Sequence, residues 1–210
     1  MKVVYTVITN DYDNLKEPNV ITKGWEYICF TDQNLTSKTW KIVKIGKTSN
    51  QIKEQRRKKI YNEYIFENYS ESIYVDGSML INCDIDLFID KYVRSDFSLM
   101  KHPSRDCIYQ EAQACMFLQK DNRETIINQM KKYKLEGLPQ NVGMVATGLM
   151  YRKHTKEVKE FCKSWWNEVN NNSIRDQLSF NYVDWLKPIR YATFPYNVLK
   201  KEFIIYNHKL

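Results

Sequence analysis

The chain alternates short apolar runs with polar breaks, which is the pattern of strands joined by loops. Residues 3–9, Trp25–Thr31 and residues 39–45 are rich in β-branched and aromatic side chains, as strands are. Nearly every one of residues 3–9 is of these types, which predicts a strand covered on both faces. Further strands are predicted over residues 72–75, 97–101, 142–151, 191–194 and 203–206.

The run at residues 72–78 reads Ser-Ile-Tyr-Val-Asp-Gly-Ser and ends in an acid, a glycine and a hydroxyl. Asp76 and Gly77 stop the strand, because glycine permits a sharp turn and a close approach of a ligand to the backbone. A carboxylate at the carboxyl end of a buried strand lies where open α/β sheets bind ligands. Asp76 is therefore our candidate for holding a divalent metal on a nucleotide diphosphate, with a simple Asp-Gly turn as the alternative.

Helical segments are marked by apolar positions that recur every three or four residues. The clearest is residues 156–169, where two tryptophans fall on the apolar stripe and are expected in the core. Residues 50–68 are also predicted to be helical and carry four consecutive cations at 56–59. Because consecutive helical residues point about 100° apart, only one or two of these cations can face a pocket beside Asp76. Further helices are predicted over residues 87–93, 106–119, 123–134 and 174–185, the last capped by Ser173.

This alternation, without internal repeats or a low-complexity linker, predicts one α/β domain. Its expected architecture is a Rossmann-like domain with a central, mainly parallel or mixed sheet flanked by helices. A chain of 210 residues suffices for one hydrophobic core. We expect residues 1–210 to form either a small enzyme or the first domain of a longer one.

Composition and charge narrow the range of partners. The net charge is +7 and the pI is near 9.0, which favours phosphates, nucleic acid or anionic lipid without choosing among them. Fifteen Tyr and 5 Trp offer flat surfaces for bases and sugars, although most are expected in the core.

Cysteine use and the N-terminus indicate a compartment. The five cysteines include no C-x-x-C pair, which argues against zinc ribbons and thioredoxin-type sites and favours reduced, mostly buried thiols. The first apolar stretch is too short for a signal peptide, and no run reaches the roughly 20 apolar residues of a membrane span. The sequence therefore predicts a soluble cytoplasmic protein.

Two acidic clusters compete for the metal. Asp84 and Asp86 form a literal D-x-D, but they precede Leu87 and are expected at a helix N-terminus, where carboxylates satisfy free N–H groups. If the intervening residues are extended at about 3.3 Å each, Asp76 lies roughly 20 Å away and cannot share one ion with them. We therefore favour Asp76.

Asp76 alone supplies too few ligands, because Mg²⁺ or Mn²⁺ takes about six and substrate phosphates and water must supply most of them. The Ser78 hydroxyl is a second candidate ligand. His208 is a third, since the end of the chain could close over a bound diphosphate with Lys209 as a counter-charge. A solvated terminal histidine is the alternative.

Residues 102–105 and 175–177 form the remaining polar clusters. Asp176 is expected to stabilise a helix N-terminus, or, if it faces the pocket, to act as a general base or to hold sugar hydroxyls. Arg105 could pair with phosphate or with a surface acid. The motifs of P-loop NTPases, Rossmann dehydrogenases, α/β hydrolases and zincin proteases do not occur.

Taken in order, these segments resemble GT-A-fold glycosyltransferases. They are VYTVITNDYD from residue 4, YICFTD from 27, RRKK from 56, SIYVDGS from 72, HPSRDCIYQEA from 102 and RDQLSF from 175. The most similar group is the small glycosyltransferase domain of bacteria, plants and large algal viruses. The Lys-, Asn- and Tyr-rich style is most similar to a chlorella-virus-encoded enzyme, which would place the protein in the host cytoplasm.

The resemblance implies a donor site built from the first strands. Thr6, Asn10, Tyr12 and Asp32 would line the nucleoside site, with Tyr12 as a stacking ring. Arg57 would approach the diphosphate.

The resemblance also implies the metal motif. Asp76 matches its first acid, Gly77 follows, and Ser78 stands where many GT-A enzymes have a second acid. His208 with Lys209 is similar in placement to the C-terminal metal-binding histidine of some GT-A enzymes. Mn²⁺ or Mg²⁺ is the implied cofactor.

His102, Arg105 and Asp176 would face the donor sugar or the acceptor. Asp176 is the candidate base of an inverting enzyme, whereas a retaining enzyme would not need a base there. The expected activity is metal-assisted transfer of a hexose from a nucleotide-diphosphate sugar, such as UDP-glucose or UDP-rhamnose, to a glycan or glycoprotein hydroxyl. A monomer without a nucleic-acid partner is favoured.

Two rival interpretations remain. The charge and the aromatic residues also suit a non-catalytic glycan- or nucleic-acid-binding domain, although the cations are spread along the chain and do not form a stripe. Ser78 also leaves open a degenerate transferase that binds the donor without turnover.

Overall fold

The computed structural model describes residues 1–209 and has a seven-stranded mixed sheet at its centre. The strands are β1 Lys2–Ile8, β2 Trp25–Thr31, β3 Lys41–Lys44, β4 Glu71–Val75, β5 Met79–Ile81, β6 Phe97–Lys101, β7 Val145–Lys153, β8 Ala192–Phe194 and β9 Phe203–Ile205. The helices are α1 Gln51–Ile60, α2 Glu63–Asn68, α3 Ile85–Tyr92, α4 Ile108–Phe117, α5 Arg123–Leu135, α6 Lys156–Asn171 and α7 Gln177–Leu186, with a short 3₁₀ helix at Tyr196–Lys200.

The order of the strands brings the loops of the candidate site together. It is β3-β2-β1-β4-β7-β6-β8, with β5 and β9 paired in a separate small sheet. β1 is parallel to β2 and β4, whereas β7 is antiparallel to β4 and β6. The predicted α/β fold with a mixed sheet is confirmed. Because β1 and β4 are parallel neighbours, the loops that follow them meet at one edge.

Apolar side chains pack on both faces of the sheet, as the sequence of β1 predicts. On one face Trp165 of α6 is fully buried and packs edge-to-face on Phe180. Phe180 also packs edge-to-face on Phe97. On the other face Phe88 of α3 packs edge-to-face on Phe203. The predicted core role of the first tryptophan of α6 is confirmed.

Two helices in the structure differ in their bounds from the helices that the sequence predicts. The helix expected over residues 50–68 is two helices, because Tyr61 ends α1 and the Asn62 side chain caps α2 by accepting the N–H of Ile65. The last long helix begins at Gln177 rather than 174, with Asp176 as its N-cap, while the Ser173 hydroxyl donates to Asp121 at 2.6 Å and accepts the N–H of Arg175 at 3.2 Å.

The cysteine prediction is confirmed, since all five are unpaired thiols and four of them are buried. Within residues 1–209, no helix has both the length and the apolar character that a bilayer crossing requires.

Candidate functional site

A cavity of about 680 Å³ opens where β1 and β4 end. Its volume is in the range of small-molecule sites, about 300–1,000 Å³. It is lined by the chain after β1, one face of α1, the Asp76 turn, the end of β6, the loop after α4, β7, the start of α7, the 3₁₀ helix and the last residues before the chain end. The polar side chains that line it are Thr9, Asn10, Tyr12, Asp13, Gln55, Arg56, Lys59, Asp76, His102, Gln119, Lys120, Thr147, Arg175, Asp176, Gln177, Tyr196 and His208.

Asp76 follows β4 directly and faces this cavity. Its N–H donates to the carbonyl of Gly148 on β7 at 2.8 Å. Tyr74, two residues earlier and on the same face of the strand, donates its phenol to Asp76 Oδ1 at 2.5 Å. The carboxylate is therefore held by one oxygen, and the second oxygen is left for other partners.

Two glycines make room for this turn. A Cβ on residue 148 would lie 2.9 Å from Asp76 Oδ2, closer than real side chains approach. A Cβ on Gly77 would lie 2.8 Å from Cγ1 of Ile8. Gly77 thus permits a close approach, as predicted, but in this structure the approaching group is a protein side chain.

Helix α1 points two of its four consecutive cations into the cavity. Arg56 and Lys59 line it, one helical turn apart. Arg57 instead pairs with Glu54 at 2.9 Å and Glu63 at 2.8 Å, outside the cavity. The expectation that Arg57 approaches the diphosphate is corrected, because the helix turns it about 100° away from Arg56.

Lys59 and Asp176 form a buried ion pair at the floor of the cavity. Lys59 Nζ lies 2.8 Å from Asp176 Oδ2 and 3.7 Å from Asp76 Oδ1, and both members of the inner pair have side chains 3% exposed. The Thr147 hydroxyl donates to the same Asp176 oxygen at 3.1 Å.

Asp176 is the N-cap of α7, and its Oδ1 accepts the N–H of Gln177 at 3.0 Å. Burial acts to raise its pKa, but the cations of Lys59 and Arg56 outweigh burial and hold the pKa well below its usual range. A carboxylate with both oxygens engaged and a low pKa is a weak proton acceptor. The geometry therefore favours an anchoring role for Asp176 over the predicted role of general base.

His102 lines the cavity on the far side, near the end of β6. Its Nδ1 accepts the N–H of Arg105 at 3.0 Å, and burial lowers its pKa, so the ring is neutral with its proton on Nε2. Arg105 pairs with the buried carboxylate of Glu111 and lies outside the cavity lining. The predicted contact of Arg105 with substrate is corrected for this reason.

The loop after β1 forms the opposite end of the cavity. Asn10 and Tyr12 line it, whereas Thr6 is buried in the sheet and Asp32 lies behind the loop, accepting the N–H of Asn10 at 3.2 Å. Thr6 and Asp32 are therefore corrected from lining to supporting positions. Asn10 and Asp11 both have left-handed backbone, with φ of 57° and 55°.

The end of the chain returns to this loop. His208 Nδ1 is 3.0 Å from Oδ1 of Asp13, and its ring lies 4.5 Å from that of Tyr12. Lys209 Nζ contacts the carboxylate of Asp11 at 2.7 Å, just outside the cavity lining. His208 lines the cavity with Asp13 as its partner, and its binding of a metal stays a prediction.

The family assignment rests on most of the chain. The model of the TOD1/MUCI70 glycosyltransferase-like domain matches residues 1–204. The chain belongs to this family.

Two curated relatives from Arabidopsis thaliana are similar over most of this TOD1/MUCI70 domain. "Alkaline ceramidase TOD1" is 26% identical, covering 99% of this chain and 54% of its own length. "Probable hexosyltransferase MUCI70" is 25% identical, covering 86% of this chain and 36% of its own length. The chain thus spans about half the length, or less, of these relatives. The link to algal viruses stays a prediction.

A solved structure shares the fold. The apo structure of the bifunctional glycosyltransferase WbbM superposes with a TM-score of 0.50 at 11% identity, covering 91% of this chain and 38% of that one. This likeness supports the predicted GT-A-type architecture of the TOD1/MUCI70 domain.

The side chains of the TOD1/MUCI70 domain can hold a divalent metal only with help from a ligand. Among residues 1–209, no three His, Cys, Asp or Glu side chains gather as a metal site. Of the predicted ligands, Asp76 keeps Oδ2 and His208 keeps Nε2 available, since Asp76 Oδ1 and His208 Nδ1 are engaged. Ser78 is buried and does not line the cavity, which argues against its predicted role as a ligand, and its carbonyl accepts the N–H of Tyr206 at 2.9 Å.

The competing acids lie elsewhere, as predicted. Asp84 caps α3 by accepting the N–H of Leu87 at 3.0 Å, and Asp86 accepts the indole N–H of Trp25 at 3.0 Å. Sequence reasoning did not single out Asp13 or Thr147. The position of Asp13 in the polar loop after β1 is a signal that could have found it, whereas Thr147 lies inside a strand and gives none.

Proposed function

We propose that this chain is a glycosyltransferase that moves a hexose from a nucleotide-diphosphate sugar, such as UDP-glucose or UDP-rhamnose, to a glycan hydroxyl. The observation that carries the proposal is the meeting of the Asp76 carboxylate with Arg56 and Lys59 in one cavity at the carboxyl ends of parallel strands. The glycosyltransferase-like family and the hexosyltransferase relative support it.

In this proposal the nucleoside lies at the Tyr12 end and the diphosphate lies toward α1. Tyr12 is 44% exposed and offers a ring face to a base. Breaking the sugar–phosphate bond builds negative charge on the leaving diphosphate, and Arg56 carries a fixed positive charge beside it. A Mn²⁺ or Mg²⁺ ion held by Asp76 and His208 would neutralise further charge on the same group.

The sugar lies at the other end, beside Lys59, Thr147 and His102. Lys59 is held by Asp176 at 2.8 Å, by Thr147 at 3.2 Å and by Asp76 at 3.7 Å, and these contacts fix its positive charge at this end of the cavity. Neutral His102 donates a hydrogen bond from Nε2 and does not accept a proton there. Asp176 anchors Lys59, and the stereochemical course of the transfer stays open.

A nucleotide panel tests the proposal. UDP, GDP, CMP and dTDP are compared by thermal shift, each with and without Mn²⁺, and hydrolysis of UDP-glucose is then measured for wild type and Asp76→Ala. We expect UDP with Mn²⁺ to give the largest shift and Asp76→Ala to lose hydrolysis. No shift with any nucleotide, together with unchanged hydrolysis in the variant, would contradict the proposal.

Ceramide hydrolysis is a second candidate, because the ceramidase relative aligns with 99% of this chain. It predicts release of sphingosine from a ceramide without any response to nucleotides.

Nucleic-acid binding is tested in the same series. Affinity for RNA that falls steeply with salt, without a nucleotide shift, would favour a basic binding domain.

A further inference from the structure

One buried cation lies outside the cavity, beneath the end of α1. Arg152 of β7 is 0% exposed, and in the part of the chain that the structure describes no carboxylate lies within ion-pair distance of its guanidinium. A buried charge without an opposite charge is strongly unfavourable unless other groups compensate for it. The groups around Arg152 therefore indicate what it does.

Arg152 donates to the last carbonyls of α1. Its Nη1 bonds the carbonyl of Ile60 at 2.8 Å, and its Nη2 bonds the carbonyl of Lys59 at 3.2 Å. A helix C-terminus carries a partial charge of about −0.5, which attracts a cation. The rings of Tyr5 and Phe66 lie 5.6 Å and 5.3 Å from the guanidinium carbon and add cation–π attraction.

Tyr5 of β1 is a second donor at the same place. Its phenol donates to the carbonyl of Lys59 at 2.7 Å and accepts a hydrogen bond from Arg152. The backbone of Lys59 is thus held by two donors, while its ammonium is held by Asp176 and Thr147. Neither Tyr5 nor Arg152 lines the cavity.

We propose that Arg152 and Tyr5 are positioning residues that fix the last turn of α1 and so set how far the Lys59 ammonium reaches into the cavity. The catalytic consequence rests on the proposed function, whereas the placement of Lys59 does not. The reach matters because Lys59 lies 3.7 Å from Asp76. A displacement of about 1 Å in a catalytic arrangement can lower a rate by up to about 100-fold.

Amine labelling tests the placement without any reaction of the enzyme. Lys59 is 3% exposed, so N-hydroxysuccinimide acetate should modify it far more slowly than the exposed Lys163, as followed by peptide mass spectrometry. We expect Tyr5→Phe, which keeps the ring, to raise the labelling of Lys59 relative to Lys163. The matched control is Tyr109→Phe, which removes a phenol bond to the carbonyl of Leu138 (2.9 Å) and should leave the ratio unchanged.

Kinetics then separate positioning from stability. Well below the melting temperature, Tyr5→Phe and Arg152→Lys are expected to lower kcat for UDP-glucose hydrolysis about tenfold with a smaller change in KM. Tyr109→Phe should lower the melting temperature without changing kcat or KM. Wild-type labelling of Lys59 and wild-type kcat in a folded Tyr5→Phe variant would overturn the inference. If wild type binds no nucleotide, the proposed function fails while the labelling result still decides the placement.

Discussion

The inner end of the cavity and the surface just outside its outer end hold similar pairs of charges in different surroundings. At the inner end, Lys59 and Asp176 meet at 2.8 Å with side chains 3% exposed. At the outer end, Lys209 and Asp11 meet at 2.7 Å with side chains 40% and 66% exposed. The distances are alike, and the difference lies in access to water.

This difference in exposure to water suits the two pairs to different roles. Exposed pairs contribute about 0–1 kcal/mol, because water competes with the partner. A buried pair holds its charges in fixed directions before any ligand arrives, which is the arrangement that stabilises charge developing in a reaction. The inner end is therefore suited to catalysis, and the outer end can exchange its contacts for those of a nucleoside.

Removing Lys59 is expected to have the largest effect on stability. Lys59→Met leaves the Asp176 carboxylate buried without its closest cation, which should lower the free energy of unfolding by about 3–5 kcal/mol. Urea denaturation measures the loss. Lys163→Met, on the exposed face of α6, is the control and should stay within about 0.5 kcal/mol of wild type.

The double variant Lys59→Met/Asp176→Leu sharpens this prediction. Removing both charges should recover much of the stability that Lys59→Met loses, because a buried pair can be replaced by apolar groups at little loss. Losses that simply add would contradict the account of Lys59 and Asp176 as a coupled buried pair.

Acid titration is expected to have an intermediate effect. The pKa of Asp176 is lower in the folded than in the unfolded chain, because the attraction of Lys59 and Arg56 outweighs the effect of burial. Its stabilisation is complete above its unfolded pKa of about 3.9 and is lost as pH falls through the lower folded pKa. The stability gap between wild type and Asp176→Asn should thus be constant near neutrality and narrow below about pH 4.

Urea midpoints of both proteins across this range give the comparison. Asp90→Asn, on an exposed part of α3, is the control. Its urea midpoint should differ from that of wild type by the same amount at every pH. A gap that widens toward acid would show that the pKa of Asp176 is raised.

The outer pair is expected to have the smallest effect. Lys209→Met should change the free energy of unfolding by less than about 1 kcal/mol, because both partners are solvated. A double-mutant cycle with Asp11→Asn measures the coupling. A coupling above about 2 kcal/mol would mean that the two ends of the cavity do not differ as described.

Much of the fold follows from local pattern. The apolar runs predicted every strand except the short β5, and the amphipathic spacing predicted α6. The chain order placed Asp76 at a strand end, away from the capping acids Asp84 and Asp86. The break between α1 and α2 was missed because Asn62 caps the second helix with its side chain.

The geometry of the site could not be predicted from local sequence pattern, because it depends on how distant elements pack. Which of Arg56 and Arg57 faces the cavity depends on the rotation of α1 against the sheet. The pairing of Lys59 with Asp176 joins residues far apart in the chain, and so does the bond from the N–H of Tyr206 to the carbonyl of Ser78. These contacts are set by tertiary packing.

Neighbouring arginines give the most direct test of the central claim. Binding of UDP in the presence of Mn²⁺ is measured by calorimetry for wild type, Arg56→Met and Arg57→Met, each confirmed to be folded. Arg56 lines the cavity, whereas Arg57 is held by Glu54 and Glu63 outside it. We predict that Arg56→Met weakens UDP about tenfold or more while Arg57→Met binds as wild type does. Equal affinities of both variants, or a loss in Arg57→Met alone, would contradict a donor site in this cavity.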